Sequence, residues 1–207
     1  TTSTLTPSRY HKATVLEAGT YDMELKASDF TNNSKNFSNV EFVIVDGTLT
    51  ISKRPVTLTS ADDEKVYDGT ALTNDEVSVG GEGFATGEGA TYDVTGTQTE
   101  VGSSANAFSY ILNEGTKADN YEITKVEGTL TVTEMTAKVT VTITENSGSY
   151  MYDGAEHTAS GYEVTNISND LYKTGDFTFS GNDKVTGTDA GTYDMELKAS
   201  DFTNNSK

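Results

Sequence analysis

The chain has 207 residues, 32 acidic against 14 basic side chains, a formal net charge of −18 and no cysteine. The lack of cysteine excludes disulfides, thiolate metal sites and cysteine nucleophiles. The negative charge argues against nucleic acid and anionic membrane surfaces as partners, because both are bound by clustered lysine and arginine. No apolar run approaches the length of a membrane span, so membrane insertion is not expected.

The first element of the chain belongs to a long internal repeat. Residues 18–35 and 190–207 both read AGTYDMELKASDFTNNSK, so the period is 190 − 18 = 172 residues. This period is too long for one coil of a solenoid and indicates a repeating unit of one or two whole domains. Residues 1–17 align only loosely with residues 173–189, which is explained by a diverged copy or by a junction.

Alternation of apolar and polar residues predicts short strands along the chain. The clearest covers residues 138–144, where Val139, Val141 and Ile143 share one face. Residues 113–120 are the one place where a short turn of helix is expected. Gly, Asn and Asp interrupt the strands about every eight to twelve residues, as in a sandwich or barrel. In chain order the predicted strands cover residues 21–25, 49–51, 56–58, 130–132, 138–144, 177–179 and 193–197. We therefore expect an all-β chain of small β-sandwich modules, Ig-like in type, with a β-grasp-like arrangement as the alternative.

A second, weaker repeat divides the 172-residue period. Residues 46–51 read DGTLTI and residues 127–132 read EGTLTV, 81 residues later, and a Tyr-Asp-Gly motif occurs near the start of each module. These marks predict three regions. Residues 1–53 are the C-terminal part of one module A, 54–135 a complete module B, and 136–207 the N-terminal part of the next module A. The junctions leave almost no linker, so neighbouring modules are expected to be each other's partners.

The two Tyr-Asp-Gly motifs are interpreted as structural turns. Glycine adopts a positive φ without strain, the aspartate can bond its own backbone, and the tyrosine packs beside the core. Tyrosine and aspartate also suit a sugar ligand, which is the alternative interpretation. The residues concerned are Tyr67, Asp68, Gly69, Tyr152, Asp153 and Gly154.

No residue pattern indicates catalysis or a cofactor. His11 and His157 are far apart in sequence, no Gly-x-Ser-x-Gly motif is present, and His157 is expected to be a solvated surface residue. Calcium is an alternative for the acidic residues 62–64 and 183–189, although no EF-hand spacing occurs. Covalent Lys–Asn crosslinks within modules are a further open alternative.

Several motifs together are similar to a known class of repeats. Residues 65–73 (KVYDGTALT) and 120–132 (NYEITKVEGTLTV) of module B resemble the YDG and MBG repeat domains of large bacterial surface proteins and adhesins. Residues 150–154, 190–197 and 46–51 give the same resemblance for module A, where Ala155, Glu156 and His157 depart from the usual small residues. The resemblance implies a secreted, non-catalytic protein of the bacterial cell surface or cell wall.

The function expected from these features is that of a structural stalk or spacer. The alternative is a glycan- or mucin-binding adhesive module, for which an exposed aromatic platform is predicted from Tyr92, Tyr110, Tyr162 or Tyr172. A host glycan or host protein would then be a partner. Head-to-tail strand exchange between chains is also expected, because 136–207 lack a counterpart of residues 36–53.

Overall fold

A computed structural model describes residues 15–206, and within them the chain is all-β. Regular structure consists of short strands and four single-turn 3-10 helices, at Ala27–Asp29, Ala118–Asn120, Thr174–Asp176 and Ala199–Asp201. The strands are β1 (Gly19–Asp22), β2 (Thr48–Ile51), β3 (Arg54–Ser60), β4 (Asp63–Val66), β5 (Val77–Gly81), β6 (Ala90–Val94), β7 (Gly102–Asn106), β8 (Phe108–Leu112), β9 (Tyr121–Val126), β10 (Gly128–Thr133), β11 (Val141–Glu145), β12 (His157–Ser160), β13 (Tyr162–Ile167), β14 (Phe177–Phe179), β15 (Lys184–Gly187) and β16 (Phe202–Asn204).

The chain divides into two compact units. The first contains the described residues up to Asp63 together with Thr73–Thr97 and Ser104–Leu130. The second contains Glu64–Leu72, Gln98–Ser103 and the residues from Thr131 onward. These units follow contacts in space, whereas the modules 1–53, 54–135 and 136–207 follow sequence repeats. The module boundaries therefore stay a prediction.

The core of the first unit is built on β3. Its Val-Thr-Leu-Thr sequence alternates, so Val56 and Leu58 are buried together with Phe108 and Tyr121. Strand β3 lies between β5, which is antiparallel to it, and β9, which is parallel. Strands β6 and β8 form a separate antiparallel pair, as do β1 and β2. The strands predicted at 49–51 and 56–58 are confirmed.

A buried polar knot closes this core. The Ser60 hydroxyl donates to the Asn106 carbonyl at 2.6 Å and accepts the Gly128 amide at 2.9 Å. A Cβ on Gly128 would lie 2.4 Å from the Ala61 carbonyl oxygen, so only glycine fits at the start of β10. Strand β10 forms a three-stranded sheet of order β4-β10-β7 and buries Leu130 and Val132. The strand predicted at 130–132 is thereby confirmed.

The second unit contains three two-stranded antiparallel sheets, β11-β13, β12-β15 and β14-β16. Strand β11 shows the predicted alternation, with Val141 and Ile143 half-buried and the threonines between them exposed, but it begins at Val141. The Phe202 ring packs at 5.0–5.9 Å from three aromatic neighbours, which are Tyr162, Phe177 and Phe179. The strand predicted at 177–179 is confirmed as β14.

Two strand predictions are corrected. Residues 193–197 form no strand, and the strand predicted at 21–25 ends at Asp22. The physical reason is local, because Glu24 and Glu196 have φ of 56° and 62°, in the left-handed region that no extended strand contains. The helical turn expected within residues 113–120 is confirmed as the 3-10 helix Ala118–Asn120.

Candidate functional site: the Tyr-Asp-Gly turns and two clefts

The turn at Tyr67-Asp68-Gly69 is fixed by its aspartate. The Asp68 Oδ1 atom accepts the Thr70 amide at 2.9 Å and the Thr70 hydroxyl at 2.7 Å, as in an Asx turn. The Lys65 Nζ atom lies 2.8 Å from the same oxygen and holds the pKa of Asp68 well below its usual range, with help from Thr70. Gly69 has φ of 77°, and a Cβ there would lie 2.7 Å from Leu171 Cδ2.

The turn at Tyr152-Asp153-Gly154 uses the same chemistry with a different cation. The Asp153 Oδ1 atom accepts the Ala155 amide at 2.9 Å and lies 3.0 Å from His157 Nε2. These two contacts, the backbone one first, lower the pKa of Asp153. Gly154 has φ of 80°, as the turn interpretation expects of a glycine.

His157 is more constrained than the sequence suggested. Its ring stacks on Tyr150, with centroids 4.4 Å apart and planes at 11°, in addition to its contact with Asp153. The Tyr150 hydroxyl donates to the Thr158 carbonyl at 3.1 Å, which fixes the ring pair on β12. The expectation of a merely solvated histidine is therefore wrong. Spacing along the chain gave no signal for this trio, because the turn geometry brings it together. His11 lies outside the described residues.

The first cleft, of about 520 Å³, lies in the second unit between the loop 146–152 and the segment 188–195. Tyr150 and Tyr152 on the loop are 59% and 67% exposed, and Tyr193 lies on the opposite segment. Glu145, Asp189 and Asp194 are among the lining residues, which include no lysine or arginine. A ligand of this cleft would therefore be neutral or cationic.

The second cleft, of about 740 Å³, lies in the same unit beside β11. Its lining is rich in apolar and aromatic side chains, among them Val141, Ile143, Tyr172, Phe177, Leu197 and Phe202. Leu197 also donates its amide to Glu145 Oε1 at 2.6 Å, so the cleft has one charged edge. Apolar side chains that line an open cleft next to a strand suit an added element of the fold better than a reactive site.

The tyrosines expected to form an exposed platform are packed instead. Tyr92 lies edge-on to Phe108 with centroids 6.4 Å apart, and Tyr172 stacks on Phe177 at 6.4 Å. Desolvation raises the pKa of both phenols. Tyr110 packs against the core of the first unit, and Tyr162 lies in the aromatic cluster of the second. The exposed tyrosines of the first cleft are different residues, Tyr150 and Tyr152.

The acidic residues considered for calcium make protein contacts. The Asp62 carboxylate accepts the Thr129 amide at 2.6 Å, and that of Asp63 accepts the Asn74 side-chain amide at 3.1 Å. Among the described residues, no group of three or more His, Asp or Glu side chains is arranged to hold a metal ion. Within that same part of the chain, no helix has the length and apolarity required to cross a membrane.

Comparison with known proteins places this part of the chain in context. Residues 139–205 match the family model of the MBG domain. MBG domains are non-catalytic repeat modules that occur in surface proteins. The matched segment contains the second Tyr-Asp-Gly turn and lines both clefts. No curated protein and no solved structure matches the chain.

Proposed function

We propose that this chain is a series of spacer modules from the stalk of a bacterial surface protein or adhesin. The observation on which the proposal rests is the match of residues 139–205 to the MBG domain, a surface-protein repeat. The 172-residue repeat and the YDG-like features of residues 54–135 support it, because they extend the same kind of module along the chain. On this proposal the protein is extracellular and its mechanism is mechanical rather than catalytic.

Composition supports a spacer in a second way. With a net charge of −18, neighbouring modules repel each other at the ionic strength of most media, which opposes collapse of an array. Almost no linker separates residues 53 and 54 or 135 and 136, so consecutive modules have little freedom to reorient. Together, repulsion and short junctions favour an array that is stiff over several modules.

Small-angle X-ray scattering of arrays with one, two and three 172-residue periods tests the proposal. A stiff stalk gives a maximum dimension that rises by the same increment with each period. An otherwise identical array with a flexible Gly/Ser insert between residues 135 and 136 is the control, and its dimension should rise less steeply. Arrays that scatter as compact globules, or that match the flexible control, would contradict a spacer.

A second candidate function is glycan or mucin binding at the first cleft. The exposed rings of Tyr150 and Tyr152 and the neighbouring carboxylates are side chains of the type that bind sugars by stacking and hydrogen bonding. A glycan array probed with the intact chain and with a Tyr152→Ala variant separates the two functions. A pure spacer gives no hits, whereas a binding module gives hits that the variant loses.

A further inference from the structure

We propose that the second unit binds residues 40–52 of a second copy of this chain as two added strands. One strand would enter the first cleft and the other would pair with the free edge of β11. The inference rests on three places where the chain already forms these pairings with related or identical sequence. It goes beyond a spacer role, because it names a partner and the surface that receives it.

Module B shows where a Gly-Thr-Leu-Thr strand belongs. Strand β10 lies between β4, which precedes the Tyr-Asp-Gly turn, and β7. On the β4 side, the Tyr67 amide donates to the Thr133 carbonyl at 2.9 Å. On the β7 side, the hydroxyls of Ser103 and Thr131 lie 3.0 Å apart.

The β1-β2 pair repeats half of this arrangement in the first unit. Gly19 to Asp22 pair antiparallel with Thr48 to Ile51, and the hydroxyls of Thr20 and Thr50 lie 3.3 Å apart. Thr50 and Thr131 are equivalent under the 81-residue offset, so Thr20 corresponds to Ser103 in the same register. The sequence Gly-Thr-Tyr-Asp of β1 is thus a proven receptor for the strand Thr-Leu-Thr-Ile.

The same receptor sequence is unoccupied by a strand in the second unit. Residues 191–194 also read Gly-Thr-Tyr-Asp, but they belong to no strand among the described residues. They line the first cleft, and residues 147–151, which precede the second Tyr-Asp-Gly turn as β4 precedes the first, line it as well. The first cleft therefore lies between the counterparts of β7 and β4, which is the position that β10 fills in module B.

The second strand of the pair has its own empty position. Under the 81-residue offset, residues 40–45 correspond to β9, which pairs parallel with β3. The counterpart of β3 in the second unit is β11, and β13 is its one strand neighbour in the described structure. Residues 40–45 themselves belong to no described strand, and Val43 and Val45 are 79% and 92% exposed. An exposed apolar segment and an open strand edge are thus present in one chain.

Exchange between copies costs little and adds new pairings. When β2 leaves Gly19–Asp22 for the identical sequence at 191–194, it replaces one set of hydrogen bonds by an equivalent set. The transferred segment then gains a second strand neighbour on the side of residues 147–151, pairs with β11 and buries Val43 and Val45. Because each chain has both the segment and the site, the contact is head-to-tail and association can continue along a row of molecules.

Methionine methyl NMR of the intact chain tests the site, because the four methionines report on different places. A synthetic peptide with the sequence of residues 39–53 should shift the methyl signals of Met151 and Met195, which line the first cleft. The signal of Met23 should stay in place, because its identical local sequence already has its strand partner. No shift at millimolar peptide, or a shift of Met23 alone, would overturn the proposal.

The peptide also offers a control that leaves the protein unchanged. The Met23 amide donates to the Gly47 carbonyl at 2.9 Å, so alternation along the pair makes Tyr21 and Leu49 hydrogen-bonded partners. Methylation of the peptide nitrogen at the position of Leu49 removes one such bond and should weaken binding about tenfold. A methylated peptide that binds equally well would contradict strand pairing.

Light scattering over a range of protein concentrations tests the second copy as the occupant. The mean mass of the chain should rise with concentration, and the double variant Val43→Asp, Val45→Asp should remain monomeric. Ile111→Asp, which alters another exposed apolar side chain on β8, is the control and should assemble like the parent. A chain that binds the peptide but stays monomeric at every concentration would rule out a second copy as the partner.

Discussion

Two segments of this molecule have the same sequence and different pairing. Residues 18–35 and 190–207 are identical, and their described parts share one local geometry. In both, a 3-10 turn is closed by an aspartate that accepts a lysine amide at 2.9 Å, Asp29 from Lys26 and Asp201 from Lys198. In both, the tyrosine hydroxyl donates to the carbonyl four residues earlier at 3.1 Å.

The strands are where the two segments differ. Gly19–Asp22 is strand β1 because β2 lies beside it, whereas its counterpart 191–194 is not a strand. Conversely, Phe202–Asn204 pairs with β14, while its counterpart at 30–32 is irregular. Met23 is 36% exposed and Met195 only 8%. Turns and bends in this protein are therefore set by local sequence, and strands are set by the neighbour that each segment meets.

The largest effect expected from this comparison follows from the paired phenylalanines. Phe202 contacts three aromatic rings and Phe30 contacts one, Phe42 at 5.8 Å. At about 1 kcal/mol for each aromatic pair, Phe202→Ala should cost about 3 kcal/mol and Phe30→Ala about 1 kcal/mol. Amide hydrogen exchange of β14 and of β1 measures each loss in its own unit. Equal losses would mean that the packing difference between the two segments has no energetic consequence.

A smaller and equal effect is expected at the two glutamates in the left-handed region. Glu24 and Glu196 have nearly the same φ, so the strain is a property of the shared sequence. Glycine adopts this conformation freely, and Glu24→Gly and Glu196→Gly should each stabilise their unit by about 1 kcal/mol or less. The same exchange measurement applies, with the other unit of each variant as the internal control. A gain at one site only would show that the bend depends on its surroundings.

The same division between local and distant chemistry explains what could be predicted from sequence. The strands at 49–51, 56–58, 130–132 and 177–179 were correct because alternation of side chains is local information. The bend at Glu196 was missed because glutamate gives no signal for positive φ. The parallel pairing of β3 with β9 was missed for a different reason, since Arg54 and Tyr121 are 121 − 54 = 67 residues apart.

Prediction of the candidate site met the same limit. The Tyr-Asp-Gly turns follow from the preferences of aspartate and glycine, and both have the glycine φ that a turn requires. The packing of Tyr92, Tyr110, Tyr162 and Tyr172 could not be foreseen, because alternation does not say which face of a strand will find a partner sheet. The first cleft is defined by segments about forty residues apart, 147–151 and 191–194, so no continuous motif marks it.

The two Tyr-Asp-Gly turns extend the comparison to repeats whose flanking residues differ, and here the smallest effect is expected. The folded-state pKa of both aspartates lies below the usual value of 3.8, and the shift is larger for Asp68, which has Lys65 and two Thr70 donors. A depressed pKa contributes stability that is fully present above 3.8 and is lost as the pH falls through the folded-state value. Carboxyl-carbon NMR shifts between pH 5 and pH 1, ranges chosen to span that loss at roughly one pH step per spectrum, should show Asp68 titrating at lower pH than Asp153.

The matched variant Lys65→Met isolates the cation in this last comparison. It leaves the Thr70 amide and hydroxyl in place, so the Asx turn is retained while the charge 2.8 Å from Asp68 Oδ1 is removed. The pKa of Asp68 should then rise towards that of Asp153, and the stability of the turn should begin to fall at a higher pH than in the parent. Both aspartates are exposed, so the effect on global unfolding should be small. An unchanged Asp68 titration in this variant would assign the depressed pKa to the backbone turn alone, and the two turns would then be equivalent despite their different cations.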